Sequence, residues 1–198
     1  MGDGDGAFGS RIWILGPPGS GKSTLARALH RRSALPLHEL DQLFWQPGWR
    51  KTDEREFQAA VARIAEEDGW IIEGQYPSVH PVLAASADTL IQLDIRSRTA
   101  FTRMVRRSVR HMLHRHVLCN GNREGPLKAV GFWWWALRSY SGIRQQNEAL
   151  LNRLSPHGTR CICVRTSAEW DRLLAESDTR PGTNRTTSRP MTERKRIV

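Results

Sequence analysis

No stretch of this sequence is apolar for long enough to cross a bilayer as a helix, which takes about 20 residues, and the mean hydropathy is −0.53. A membrane partner is therefore not expected. The opening residues, Met1-Gly-Asp-Gly-Asp-Gly6, lack the basic and apolar blocks of a signal peptide. The expectation is a cytoplasmic protein. Cysteine is scarce: Cys119, Cys161 and Cys163 are the three present. An odd number without a secretory segment argues against a disulfide framework. Cys161 and Cys163 alternate in a strand-like apolar run, so buried thiols on one face are expected. Acid is missing where base is dense: the span 96–116 holds seven arginines, three histidines and no Asp or Glu. In a chain of net charge +10 such a segment needs anionic company, either nucleotide phosphates or nucleic acid.

What is present fits one globular domain. The 198 residues are 39% hydrophobic and 25% charged, enough for a proper core. Strand-like apolar runs occupy 11–15, 37–40, 70–73, 89–94 and 160–164. Helical patterns occupy 24–32, with Leu25, Ala28 and Leu29 inward, and 53–67, opened by the capping pair Asp53 and Glu56. Further helices are read at 97–117, at 127–154 with a kink near Gly142, and at 166–176. Pro47-Gly48 marks a turn, and 119–126 is a Gly/Asn-rich break. Strands alternating with helices predict an α/β protein with a five-stranded parallel sheet covered on both faces. Residues 11–176 form the expected domain, with 1–10 and the basic 177–198 disordered. Ligands gather at the carboxyl ends of such strands, where Asp41, Glu73 and Asp94 fall.

One motif carries chemistry directly. Gly16-Pro17-Pro18-Gly19-Ser20-Gly21-Lys22-Ser23-Thr24 satisfies G-x-x-x-x-G-K-[ST] in full, between a strand and a helix. A phosphate-cradling loop turns successive N–H groups inward, which needs conformations only glycine adopts easily. The following helix aims its positive end at the phosphates. Lys22 is expected to bridge the β- and γ-phosphates of ATP or GTP, and the Ser23 hydroxyl to bind Mg²⁺. Glu73, at a strand tip, is the expected second metal residue or acceptor-orienting group. Asp41 is a candidate to accept a proton from an attacking hydroxyl or to bind the acceptor. Trp45 and Trp49 flank a turn, where they either stack on a ligand or cover a small core. In Phe132-Trp133-Trp134-Trp135 core packing is expected to take two rings, leaving the others for a dimer or lid contact. His111, His114, His116 and Cys119 have ligand chemistry without standard zinc spacing.

Together these residues resemble the adenylate-kinase-like P-loop kinases. The resemblance is nearest to the group named DNA topology modulation (FlaR-like) proteins. It rests on His38-Glu-Leu-Asp41, Phe44-Trp45-Gln-Pro-Gly-Trp49, Gly69-Trp-Ile-Ile-Glu-Gly-Gln-Tyr76, Leu93-Asp94 and Gly121-Asn-Arg-Glu124. It implies a nucleoside-monophosphate-kinase-like sheet of order 2-3-1-4-5, a lid at about 107–128 and an ATP-dependent phosphotransferase. It further implies that Arg103 and Arg107, one helical turn apart, clamp phosphates and that Arg123 joins them when the lid closes. The segment Glu73-Gly-Gln-Tyr-Pro-Ser78 lacks the arginine with which adenylate kinases grip AMP, so the acceptor is left open. Three functions stay in view: a small kinase acting on a nucleotide or other small acceptor, a nucleic-acid-associated ATP switch, and a hydroxyl-acceptor kinase of shikimate or gluconate type with Asp41 as base.

Overall fold

Four consecutive buried residues, Ile12-Trp13-Ile14-Leu15, show why the sheet is central: both faces of this strand are covered, so no polar alternation is needed. The computed structural model describes residues 8–155 and 158–178. Its main sheet comprises β1 (Arg11–Leu15), β2 (Leu37–Glu39), β5 (Trp70–Glu73), β6 (Thr89–Leu93) and β7 (Arg160–Val164), all parallel, in the order β2-β5-β1-β6-β7. Two further strands, β3 (Trp45–Gln46) and β4 (Arg50–Lys51), form a separate antiparallel hairpin. Counting the main-sheet strands alone gives 2-3-1-4-5, the expected topology. The register sets Ile14 beside Glu73 and Leu15 beside Gln92, which aligns the strand ends that matter below.

Among the described residues seven helices complete the three layers: α1 (Lys22–Ser33), α2 (Leu40–Phe44), α3 (Glu54–Ala65), α4 (His80–Ser86), α5 (Ser97–Leu113), α6 (Pro126–Leu154) and α7 (Ser167–Asp178). Successive strand side chains point to opposite faces, and β1 divides accordingly. Trp13 and Leu15 join Phe57, Val61, Leu83 and Leu150 from α3, α4 and α6. Ile12 and Ile14 join Leu25, Leu29 and Leu173 from α1 and α7. A third cluster, Ala100, Met104, Ala136 and Tyr140, binds α5 to α6. Asp53 caps α3 as expected, its carboxylate accepting from the Arg55 and Glu56 amides at 2.9 and 3.3 Å.

Several expectations need correction. Strand β2 stops at Glu39, and Asp41 lies in the first turn of α2 rather than at a strand tip. Helix α5 ends at Leu113, where the chain turns through His114 and a left-handed Arg115. Helix α6 runs through Gly142 without a break. In α1 Ala26 takes the fully buried place expected of Ala28. The hairpin and α4 have no counterpart in the sequence reading, because two-residue strands and a seven-residue helix carry too little periodicity. Cys161 and Cys163 are half-buried rather than buried. Phe8, Gly9 and Ser10, expected to be disordered, belong to the domain: Phe8 is buried, and the Gly9 and Ser10 amides donate to Thr89 and Asp88. The expectations for 1–7 and 179–198 lie outside the described residues.

Phe57 is fully buried and meets the rings of Phe44 and Tyr76 edge-on at 5.2 and 5.3 Å. Replacing it with alanine is expected to lower unfolding stability by about 3–5 kcal/mol, read from urea denaturation midpoints.

Candidate active site

The loop that leaves β1 is held from three sides. Gly19 has a φ of 78°, and a Cβ there would lie 2.0 Å from the backbone oxygen of Ala100, so α5 presses directly on the loop. Gly21, with a φ of 101°, is the N-cap of α1. Both conformations are ones that side chains resist. From α6, the Tyr140 hydroxyl donates to the Pro18 carbonyl. Lys22 opens α1 and curls over the loop, its ammonium 3.5 Å from the Pro17 oxygen. The Ser20 hydroxyl is buried in the loop with no partner among the described residues. The helix N-terminus and Lys22 together present positive potential to an anion.

Beneath the loop, the Ser23 hydroxyl donates to the Glu73 carboxylate at 2.9 Å. Glu73 ends β5 and is buried. Burial pushes its pKa above the ordinary 4.5; Lys22 and the Ser23 bond oppose the rise, and the charges of Asp41 and Glu39 add to it. A hydroxyl and a carboxylate oxygen side by side, with excess negative charge behind them, are the hard donor set that suits Mg²⁺.

On the neighbouring side, Tyr76 donates its hydroxyl to Asp41 Oδ1 at 2.5 Å. Burial first, then the Asp41 charge, hold the Tyr76 pKa far above its ordinary value, so the phenol remains a donor. Glu39 accepts from Arg27 at 2.7 Å and from Gln42 at 3.2 Å. The electrostatic coupling of Glu73 to both Asp41 and Glu39 places three carboxylates around one end of the sheet.

The hairpin closes this region by fastening to the segment that follows α5. Asn120 Nδ2 donates to the carbonyls of Gln42 and Trp45 at 2.7 and 2.6 Å. Asn122 Nδ2 donates to the Gln46 carbonyl at 3.0 Å, and Asn122 Oδ1 accepts from the Trp49 amide at 2.8 Å. The Trp49 indole donates to the Arg123 carbonyl at 2.9 Å. Trp49 has a φ of 60°, costly for a bulky residue, and these bonds hold it there. Trp45 and Trp49 meet edge to face at 5.6 Å, and both remain partly exposed.

The predicted arginines are spread along α5 and the segment that follows it. Arg103 and Arg107 are exposed on α5, on the flank of the face that buries Ala100 and Met104. The Arg107 charge opposes the burial that pushes the Tyr140 pKa up to about 12, which sets Arg107 near the loop. The Arg123 side chain is exposed while its carbonyl is held by Trp49. Asp94 is occupied by Arg144 at 2.9 Å and Arg165 at 3.1 Å. No group of three metal-capable side chains occurs among the described residues. The sequence reading assigned no role to Glu39, Tyr76, Asn120, Asn122 or Tyr140. The first four lie within or beside the motifs that carried the resemblance; nothing in the sequence marked Tyr140.

No protein-family profile and no curated protein matches the chain. Solved structures do. A shikimate kinase from Acinetobacter baumannii in complex with shikimate aligns over 85% of this chain and 90% of its own, with 11% identity and a TM-score of 0.52. A gluconokinase from Sinorhizobium meliloti 1021 aligns over 86% and 90%, with 19% identity and a TM-score of 0.48. A shikimate kinase from Bacteroides thetaiotaomicron aligns over 85% and 92%, with 18% identity and a TM-score of 0.46. At 11% identity the likeness to the Acinetobacter baumannii structure shows a shared fold, the three-layer α/β/α architecture described above.

Two outcomes are expected of the site. A raised carboxylate pKa means that the folded state holds more protons than the unfolded state just above pH 4.5, so this group lowers stability as pH rises through its folded pKa. Glu73→Gln is therefore expected to raise the melting temperature of the nucleotide-free protein at pH 7, with the difference shrinking toward pH 4.5, while stabilisation by Mg²⁺ and nucleotide is lost. Asn122→Ala leaves the Trp49 amide and the Gln46 carbonyl without their lid partner. It should cost about 1–3 kcal/mol in thermal unfolding and speed proteolysis between α5 and α6.

Proposed function

We propose that this chain is an ATP-dependent phosphotransferase that moves the γ-phosphate to a hydroxyl of a small acceptor. The observation that carries the reading is the Ser23–Glu73 pair beneath the loop, beside an Asp41 carboxylate already held by Tyr76. A nucleotide-binding protein without an acceptor needs the first arrangement but has no use for the second. In this reading the loop amides and Lys22 bind the β- and γ-phosphates, and Ser23 and Glu73 hold Mg²⁺. Bound there, the ion would supply charge neutralisation to the transferring group.

Asp41 takes the proton of the acceptor hydroxyl as its oxygen bonds to the γ-phosphorus. The bond from that phosphorus to the β,γ-bridging oxygen breaks, and ADP leaves. Tyr76 fixes the carboxylate with its hydroxyl, leaving the other Asp41 oxygen for the acceptor. Arg103, Arg107 and Arg123 are proposed to stabilise the transferred charge from the lid side, and the hairpin to enclose the acceptor and exclude water. The fold likeness to a shikimate kinase is in keeping with a small acceptor, and the adenylate-kinase-like motifs keep a nucleotide within the candidate class. The nucleic-acid-associated switch is less favoured, because the acceptor-side groups are left without a task.

Coupled assay of ADP release against a panel of nucleotides and hydroxyl compounds tests the reading. Lys22→Ala is expected to abolish turnover with loss of nucleotide affinity. Asp41→Asn is expected to lower kcat by about 10²–10⁴-fold with KM for ATP little changed. Full turnover by Asp41→Asn, or no transfer to any acceptor by a chain that binds ATP, sinks it.

A further inference from the structure

Every large apolar side chain that stands exposed among the described residues falls between Val109 and Leu137. Leu127 is 90% exposed, Leu113 76% and Trp134 59%. The antiparallel pair α5–α6 brings them together. Leu113 ends α5 and Leu127 lies in the first turn of α6, so both sit at the end of the pair where the chain passes from one helix to the other. Along α6, Leu127, Val130, Trp134 and Leu137 recur at three- and four-residue spacing, which at about 100° per residue makes one stripe. The buried positions, Ala129, Ala136 and Tyr140, are centred about 120° round the helix from the stripe. The stripe therefore points away from the core cluster that binds the two helices. Phe132 and Trp135 stack on one another farther round the helix, outside the stripe.

The frame around this patch is cationic. Between Asp94 and Glu148 the sequence contains one acid, Glu124. That carboxylate is turned inward, accepting from the Ser108 hydroxyl and facing His111. Arg110 and Arg115 lie within the same span and are exposed; Lys128 is exposed too, over the Trp49 ring at 5.5 Å. Arg138 lies over the Trp134 ring at 5.5 Å. An apolar stripe of Trp, Leu and Val bordered by unopposed Arg and Lys is the composition of a surface that lies in the headgroup region of a bilayer.

We infer that the outward stripe of α6, with Leu113 beside it, docks on an anionic lipid surface, without spanning it. Charge decides between the occupants. A second copy would bring the same cationic border against itself. The segment 179–198 carries Arg180, Arg185, Arg189, Arg194, Lys195 and Arg196 against Glu193 alone, and meets the same repulsion. A single-stranded nucleic acid would match the charge and stack on Trp134, but it would leave Leu113, Leu127 and Leu137 in water. A bilayer with anionic headgroups satisfies both the cations and the aliphatic groups. No helix is long and apolar enough to cross a membrane, and length is the criterion by which the sequence reading set a membrane partner aside. That criterion does not detect an interfacial stripe.

Co-sedimentation of the full chain with phosphatidylcholine vesicles, with and without phosphatidylglycerol, tests this. Binding is expected to the anionic vesicles, falling as salt rises. The double variant Trp134→Ser/Trp135→Ser should bind about tenfold or more weakly, and Leu127→Ser, at an almost fully exposed site, should weaken it with the fold intact by circular dichroism. Arg110→Glu/Arg115→Glu should remove the preference for anionic lipid. Absence of vesicle binding, binding unchanged by these variants, self-association through the same residues in light scattering without vesicle binding, or DNA binding lost in the Trp variant without vesicle binding would each overturn the inference. None of these outcomes bears on phosphotransfer, which is read in solution.

Discussion

The arrangement of the cleft depends on one buried carboxylate. Glu73 sits at the end of β5, where β1 brings the phosphate loop alongside, and its charge is costly there. The Ser23 hydroxyl and the Lys22 ammonium offset part of that cost. The same side chains are the ones a nucleotide and its metal would engage. The nucleotide-free site is therefore electrostatically incomplete, and the deficit is local. It lies between a loop that offers amides to an anion and a carboxylate that calls for a cation, which is the charge pattern of a metal–triphosphate.

Around this centre the molecule is built from two different kinds of contact. The sheet and its flanking helices are joined by dense apolar packing on both faces. The segment after α5 covers the hairpin and α2 through polar bonds: two asparagines, main-chain groups and one indole N–H. Each such bond is worth little net because water can replace it. A cover held this way can part from the hairpin at modest cost, while the loop and strands beneath stay fixed. That difference in chemistry is what a cleft requires if it is to open and still close in one geometry. Trp49 links the two regimes, since its unfavourable backbone conformation persists only while the lid segment accepts and donates to it.

The α5–α6 pair shows the reverse economy. It packs on the loop through Ala100 and Tyr140, with a small core of its own. Its outer side keeps aromatic and aliphatic groups in water. The expectation that two rings of Phe132–Trp135 enter the core was too generous: Trp133 alone packs there, while Phe132, Trp134 and Trp135 are exposed. Four consecutive aromatic positions on a helix point in four directions, and the small cluster formed with α5 receives one of them.

By itself the sequence determined the sheet and the loop. Their signals are local: a glycine pattern that permits left-handed turns, and apolar runs whose length and flanks fix a parallel α/β order, with Glu73 left at a strand end. It also brought Asp41 forward, although it put that residue at a strand tip rather than in the first turn of a short helix. Only the tertiary structure decided what Asp41 touches. Tyr76 is 35 positions away, and no periodicity links them. The same holds for Asn120 and Asn122, whose partners in the hairpin lie more than 70 positions earlier, and for Tyr140, which reaches Pro18 across the fold. Local propensity and spacing are properties of a few neighbouring residues, so a chain can state them in its sequence. A hydrogen bond between distant segments exists only once packing has brought their backbones together, and the reach of a side chain then selects its partner.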